Sequence, residues 1–486
     1  MSTHADVKKT LVSGSFWIAV SEILKAVAEL SSSIIAARVL SPEDFGLMGT
    51  VLLTIAVLEN FSRTGFDQAL IQKQDEVEPF LNVAWTWHVL RGVGLAALLA
   101  VAAVPVSHFF DQPTLKYLIW AMTLQVVFQG AQNIGLVFFS RDLNFKTICV
   151  VNGLQAFASA GVAIPAVLVF QNVWGLVVGL IAGAFVSLIV SYVVQPFRPK
   201  LEWDPARFKE LTRYGRWITG LSFIGFIVTQ GDDIFVSKYL GLAALAYYQL
   251  AYSISNLPAT KVTHVISRVS FPTYARLQNN PEGLRAAFVG VLRSTMMLSA
   301  PVSVVIWLAA PGIVEHILGQ KWAPILPLIQ ILVISAFVRS FAALGGALFQ
   351  ACDRPDLDLK MNLPRFVAVV GLIWPLTAWR GLEGASWVVL IAISSCLPVW
   401  FYGVWKLARL SVSSALVATI PSLFCGSLLA GIWIGMETAI VANFGSSIWT
   451  FAAIIVSALC LWLLVLRGIG RWVPSVDIIS LIKQLT

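Results

Sequence analysis

Charge is what this 486-residue chain has least of: only 12% of its residues are Asp, Glu, Lys or Arg, against roughly 25% in soluble domains. With 58% hydrophobic residues and a mean hydropathy of +0.82, that scarcity excludes an ordinary water-soluble fold. Cysteine is scarce as well. Cys149, Cys352, Cys396, Cys425 and Cys460 form no C-x-x-C pair, so no disulfide framework or zinc site follows, and they read as small core residues. The histidines His4, His88, His108, His264 and His316 stand in separate segments and read as packing or interfacial groups rather than metal ligands. Nucleophile elbows, P-loops, H-E-x-x-H and strand-linked G-x-G-x-x-G motifs are missing from the sequence. Neither ATP hydrolysis, nor a catalytic centre, nor a cofactor is expected.

What the chain has is long apolar runs, with 18 tryptophans and nine tyrosines that suit membrane-interface belts. A span needs about 20 mostly apolar residues. That ruler gives fourteen, near Ser13–Ala37, Phe45–Phe66, Phe80–Val104, Thr114–Phe138, Thr147–Phe170, Trp174–Val194, Ile218–Tyr239, Ala243–Val265, Ala287–Ala309, Ile325–Phe349, Phe366–Trp379, Ala385–Trp405, Ala415–Ile434 and Ser447–Leu466. The first carries Glu22, Lys25 and Glu29 and reads as a span rather than a cleavable signal. The eleventh is short and contains Pro375. The polar stretch QPFRPKLEWDPARFKELTRYGRW reads as a linker with a short amphipathic surface helix. Four regions are expected: an N-terminal lobe over 1–196, a cytoplasmic linker over 197–217, a C-terminal lobe over 218–410, and two last spans with a tail over 411–486. The fold class is an all-α polytopic membrane protein, six spans per lobe.

Two resemblances within the chain support paired halves. SSSIIAARVLSPEDFGLMGT matches the stretch around Lys238 and Leu240 at an offset of 200, with a tight turn expected at Leu240–Gly241 and a break near Pro272. NVWGLVVGL resembles GLEGASWVVL at an offset of 209, aligning Gly175 with Gly384. Repetition at a near-constant offset is the mark of a parallel internal repeat. Orientation comes from Lys and Arg. Of 33, twenty-three fall in segments on one side, five on the other and five within spans, which places both termini in the cytoplasm. The net charge of +8 therefore reflects basic cytoplasmic loops, and no nucleic-acid partner is expected.

Charge inside the spans is the chemically informative set, because each such group costs about 2.5–3.5 kcal/mol and ordinarily faces a bundle interior or wet cavity. Glu22, Lys25 and Glu29 share one helical face, and Glu59 and Arg63 stand four apart. Arg91, Lys261 and Arg339 lie in other spans, and Asp232 and Asp233 close the seventh. The candidate substrate-binding residues are Lys25, Arg63, Arg91, Lys261 and Arg339. Glu22, Glu29, Glu59, Asp232 and Asp233 are candidate coupling or ion-pair residues. Ion pairs that only fix helix packing are the plain alternative. A cavity with residual positive charge suits an anion such as a diphosphate. The tyrosine-rich run ALAYYQLAYSISNLP reads first as interface anchors.

RVLSPEDFGLMGTVLLTIAVLENFSRTGFDQALIQKQ, SRDLNFK, KYLGLAALAYYQLAYSISNLPATKVTHVISRVSFPTYARLQNNPEGLRAAF, LGQKWAPILPLIQIL and GALFQACDRPDLDLK together resemble the polysaccharide transporter family of lipid-linked oligosaccharide flippases. The likeness is to the colanic-acid and succinoglycan exporter branch of the multidrug/oligosaccharidyl-lipid/polysaccharide superfamily, and it covers nearly the whole chain. It implies two six-helix lobes around a central cavity plus two C-terminal helices. It also implies alternating access in the bacterial inner membrane and transfer of an undecaprenyl-diphosphate-linked repeat unit to the periplasmic leaflet. The polymer would be an exopolysaccharide or lipopolysaccharide. Membrane lipid and the glycosyltransferases and polymerase of the same pathway are the implied partners. A cation-coupled drug or metabolite antiporter of the same superfamily stays open, since the carboxylates could form a coupling site. A membrane polymerase or ligase is disfavoured, because the outer segments are short, the longest lying near Ser107–Pro113 and Pro311–Pro324.

Overall fold

The computed structural model describes residues 4–472 apart from 63–65, 67–69, 71–76, 143 and 446, and contains no strand among them. The chain divides into two compact units, Met1–Ala246 and Tyr247–Gln484. The first holds α1 (His4–Val39), α2 (Pro42–Ser62), α3 (Glu78–Phe109), α4 (Thr114–Gly130), α5 (Leu136–Arg141), α6 (Phe145–Phe170), α7 (Trp174–Val194) and α8 (Pro205–Tyr239). After α9 (Leu242–Ser255), the second holds α10 (Thr263–Leu277), α11 (Pro281–Gly312), α12 (Ile325–Ala351), α13 (Pro355–Ser394), α14 (Leu397–Ala408), α15 (Val412–Phe444) and α16 (Ile448–Trp472). Among the described residues, eight helical segments are long and apolar enough to cross a membrane.

Where the structure describes them, the apolar runs lie mostly on helices, residues 63–65 of the second run lying outside the described residues, but three readings need correction. The fourth run ends at Gly130, not Phe138. Asn133 turns the chain there, its N–H donating to Ser191 Oγ at 3.0 Å and its Nδ2 to the Phe197 carbonyl at 2.7 Å. No separate surface helix precedes the seventh run. Residues 195–204 are non-helical, and α8 starts at Pro205 and continues unbroken to Tyr239. Asp204 caps it, accepting from the N–H groups of Ala206 and Arg207 at 2.8 and 3.2 Å. The break expected near Pro272 lies instead at Pro258–Val262, a π-helical turn, and α10 runs through Pro272. The eleventh run lies in the first part of α13, which passes through Pro364 and Pro375, and the non-helical Gly381 (φ +57°, ψ −132°) separates it from the twelfth run. Apolar bundles tolerate such prolines because neighbouring groups satisfy the freed carbonyls.

The segment before α8 is tied to α3. Asn82 donates to Glu202 Oε2 at 3.0 Å and accepts from the Lys200 N–H at 3.0 Å. The Glu202 N–H donates to Thr86 Oγ1 at 2.9 Å, and Arg207 bridges Glu202 and the Pro79 carbonyl, both at 2.8 Å. In the same unit α2 packs on α8 through a Thr50–Ser237 hydroxyl contact of 3.1 Å and a Phe61–Phe226 ring pair at 6.4 Å.

The expected turn at Leu240–Gly241 is present, with Gly241 at φ +92°. It brings the backbone of Leu242 against α2 so closely that a Cβ on Gly46 would lie 1.9 Å from the Leu242 carbonyl oxygen. The aligned pair Gly175 and Gly384 also makes close approaches, each within its own unit. A Cβ would meet the Val167 nitrogen at 2.5 Å and the Leu376 oxygen at 2.0 Å. In the second unit Tyr274, Phe288, Phe349 and Trp400 are buried at the centre of the core, with Phe288 and Trp400 5.9 Å apart.

Candidate functional site

α12 and α13 form a hairpin through Cys352–Arg354, where Asp353 takes a left-handed φ of +55°. GALFQACDRPDLDLK folds into this turn. Arg354 clamps Asp356 with two hydrogen bonds of 2.7 and 2.8 Å. Burial pushes the Cys352 thiol up, so at neutral pH it stays protonated.

Beside this hairpin the second unit forms an open-sided cavity of about 720 Å³. One wall is the α12 face Arg339, Ala342, Ala343, Gly346, Ala347 and Gln350, whose spacing follows the helical period. Its small residues make the room, with a polar group at either end. The facing stripe on α13 is Asp358, Met361, Asn362 and Arg365. Near the hairpin turn, Gln350 Nε2 donates to Asp358 Oδ2 at 3.0 Å and Asn362 Nδ2 to Asp358 Oδ1 at 3.3 Å. Away from the turn, Arg339 on α12 and Arg365 on α13 line the cavity with buried Cys396. The cavity thus has an acceptor-rich end and a cationic end.

Arg339 is held by α9. One Nη donates to the Tyr252 hydroxyl, and the guanidinium sits over the Tyr252 ring, 5.3 Å from its centroid. Its buried Nε has no hydrogen-bond partner among the described residues. Leaving a buried donor unpaired costs about 1–3 kcal/mol, a cost that an anion in the cavity would remove. The tyrosine-rich run is therefore internal structure. Tyr248 is buried, and Tyr247 donates to the Lys321 carbonyl at 3.2 Å while its ring meets Trp322 edge-on at 5.7 Å.

The remaining expected site residues lie elsewhere. Lys25 pairs with Glu29 at 3.9 Å, both about half-exposed. The Glu22 and Lys261 side chains and Arg63 lie outside the described residues. Arg91 reaches the end of α2, donating to Ser62 Oγ at 3.0 Å and to the Glu59 carbonyl at 3.4 Å. Asp232 and Asp233 are buried. Asp233 shares the α8 face of Phe226, Gln230 and Ser237, the face that meets α2, and accepts from the Gln230 amide at 3.2 Å. Among the predicted cations whose side chains are described, Arg339 lines the cavity of the second unit. Arg365, Asp358, Gln350, Asn362 and Tyr252 were not predicted.

A family model described as polysaccharide biosynthesis protein matches residues 35–327, more than half of the chain. The chain belongs to that family. It is similar to the lipopolysaccharide biosynthesis protein WzxC of Escherichia coli strain K12, 25% identical over 365 residues, covering 74% of this chain and 73% of the relative. It is also similar to the succinoglycan biosynthesis transport protein ExoT of Rhizobium meliloti strain 1021, 26% identical over 413 residues, covering 79% and 81%. Among solved structures, the lipid II flippase MurJ in an inward closed conformation matches with a TM-score of 0.68 at 14% identity, over 92% of this chain and 99% of that one. An inward-facing multidrug transporter of the MATE family matches with a TM-score of 0.64 at 15% identity, covering 81% and 98%. This family member is a multi-pass membrane transporter of polysaccharide biosynthesis, with the fold shared by those two transporters, and not an enzyme.

Proposed function

We propose that this transporter flips an undecaprenyl-diphosphate-linked oligosaccharide repeat unit across the bacterial inner membrane by alternating access, for exopolysaccharide or lipopolysaccharide assembly. The observation that carries the reading is Arg339, a cation with an unpaired buried N–H lining a cavity of a polysaccharide-biosynthesis transporter. A glycan cannot cross hydrocarbon, whereas a polyprenyl tail can remain in it. The headgroup enters a protein cavity while the tail stays in lipid, and Lys or Arg side chains bind the diphosphate through charge-assisted hydrogen bonds. Lys25, Arg63, Arg91 and Lys261 join Arg339 in that role. Glu22, Glu29, Glu59, Asp232 and Asp233 compete for these bases and aid release. Glycosyltransferases of the same pathway supply the substrate, and a polymerase consumes it.

The deciding experiment is complementation of polymer export in cells lacking the transporter. Arg339→Ala, inserted at wild-type level, is expected to abolish polymer and leave lipid-linked repeats on the cytoplasmic leaflet. Normal polymer would refute the assignment. The Lys and Arg bias of the sequence supports cytoplasmic termini and a cytoplasmic stretch at 198–216, so externally applied thiol reagent should label a cysteine at Pro113 and miss one at Ala206.

A second reading, cation-coupled antiport, draws on the buried Asp232 and Asp233. It predicts that Asp233→Asn uncouples transport from the ion gradient, whereas uncoupled flipping predicts no dependence on that gradient.

A further inference from the structure

The two ends of the second unit's cavity have opposite chemistry, and this says more about the ligand than the arginine alone. We infer that this cavity is a receptor for a saccharide carrying a phosphate: Arg339 and Arg365 take the phosphate, and Asp358, Gln350 and Asn362 read the sugar. The inference rests on the flippase reading above and names the part of the substrate recognised here.

The size fits: about 720 Å³ lies within the roughly 300–1,000 Å³ of small-ligand sites. So does the length. Arg339 and Gln350 are eleven residues apart on α12, about 16 Å at the helical rise. At the cationic end Arg339 and Arg365 line the cavity together with Cys396, and planar forks of N–H donors match tetrahedral oxyanions. At the other end the two amide nitrogens already donate to Asp358. A carboxylate has about four acceptor sites, so Asp358 keeps free acceptor capacity, and the amide oxygens of Gln350 and Asn362 add more. Hydrogen-bond acceptors arrayed on a fixed carboxylate suit the hydroxyl donors of a sugar. The stripe Ala342, Ala343, Gly346 and Ala347 leaves the floor open for a ring, and half-exposed Phe271 lines the same space.

The test is calorimetric titration of the full-length transporter in lipid nanodiscs with inorganic pyrophosphate, free hexoses, and a panel of hexose, N-acetylhexosamine and hexuronic acid 1-phosphates. At least one sugar phosphate should bind about ten-fold or more tighter than either pyrophosphate or its own free sugar, because a site built for hydroxyls discriminates against ligands lacking them. Arg339→Ala and Arg365→Ala should abolish binding of both phosphate classes. Asp358→Asn and, independently, Asn362→Leu should weaken the sugar phosphate about ten-fold and leave pyrophosphate within about two-fold, which also shows that the variants are folded. Equal losses for both ligands, or no sugar phosphate above pyrophosphate, would overturn the inference. Sodium binding that Asp358→Asn removes would overturn it too, by making the acceptor end a cation site. A transporter that flips lipid-linked repeats without this discrimination keeps the flippase reading and loses the receptor. One that binds sugar phosphates but flips nothing loses the flippase reading.

Discussion

Arg339 and Tyr252 make a double contact, the guanidinium lying over the phenol ring and donating to its hydroxyl. The tyrosine thereby fixes the cation's orientation while the Nε keeps its hydrogen-bonding capacity. Tyr252→Phe keeps the ring and removes the acceptor, so polymer export should fall several-fold without being lost. Arg339→Lys should fail to restore export, because an ammonium cannot stack, donate to Tyr252 and serve an anion together. Quantifying cell-surface polymer at matched protein levels checks both.

Arg91 ties α3 to α2 rather than standing alone, through its bonds to Ser62 Oγ and the Glu59 carbonyl. Ser62→Ala should cost about 1 kcal/mol and Arg91→Ala about 2–3 kcal/mol, seen as a small and a larger drop in thermal midpoint in detergent. Equal, negligible drops would leave Arg91 available for a purely ligand-binding part.

The Glu202 carboxylate accepts from Asn82 and Arg207, and its backbone N–H donates to Thr86 Oγ1. Its pair with Arg207 is more than one-third exposed on both sides and so contributes little; the hydrogen bond from Asn82 matters more. Glu202→Ala should destabilise by about 1–2 kcal/mol. Asn82→Ala should do the same, and the double variant should lose less than the sum, because the two share one network. Thermal unfolding of the four proteins measures the coupling.

Gly46→Ala is expected to prevent accumulation of monodisperse protein, since its Cβ would sit 1.9 Å from a backbone oxygen that no side-chain rotation relieves. Gly94→Ala, with nothing within 4 Å of the added carbon, should behave as wild type. Size-exclusion profiles of the two settle the point.

The helices were legible because their apolar runs are long, and the turn at Gly241 because Leu-Gly ends a run. The site was legible only in part. Arg339 stands out as a lone cation amid apolar residues, so sequence could find it. Arg365 could not be found that way: it follows Pro364 and read as part of a cytoplasmic segment, whereas α13 begins ten residues earlier, at Pro355. Tyr252 hid among tyrosines that read as interface anchors. Asp358, Asn362 and Arg365 do follow a helical spacing, but it becomes visible only once the helix is known to start at Pro355. Prolines marked helix ends poorly throughout: Pro272, Pro364 and Pro375 lie inside helices, and of these four only Pro258 marks a change of helix type.

The tethered segment at 195–204 bears on how the gene can be cut. A protease site or split-fragment junction placed in that polar stretch would sever hydrogen bonds that hold α8 to α3, and the fragments should not reassemble well. The exposed turn at 278–280, between α10 and α11, carries no such ties to other helices among the contacts described above. Tags, nicks or two-plasmid expression should be tolerated there first.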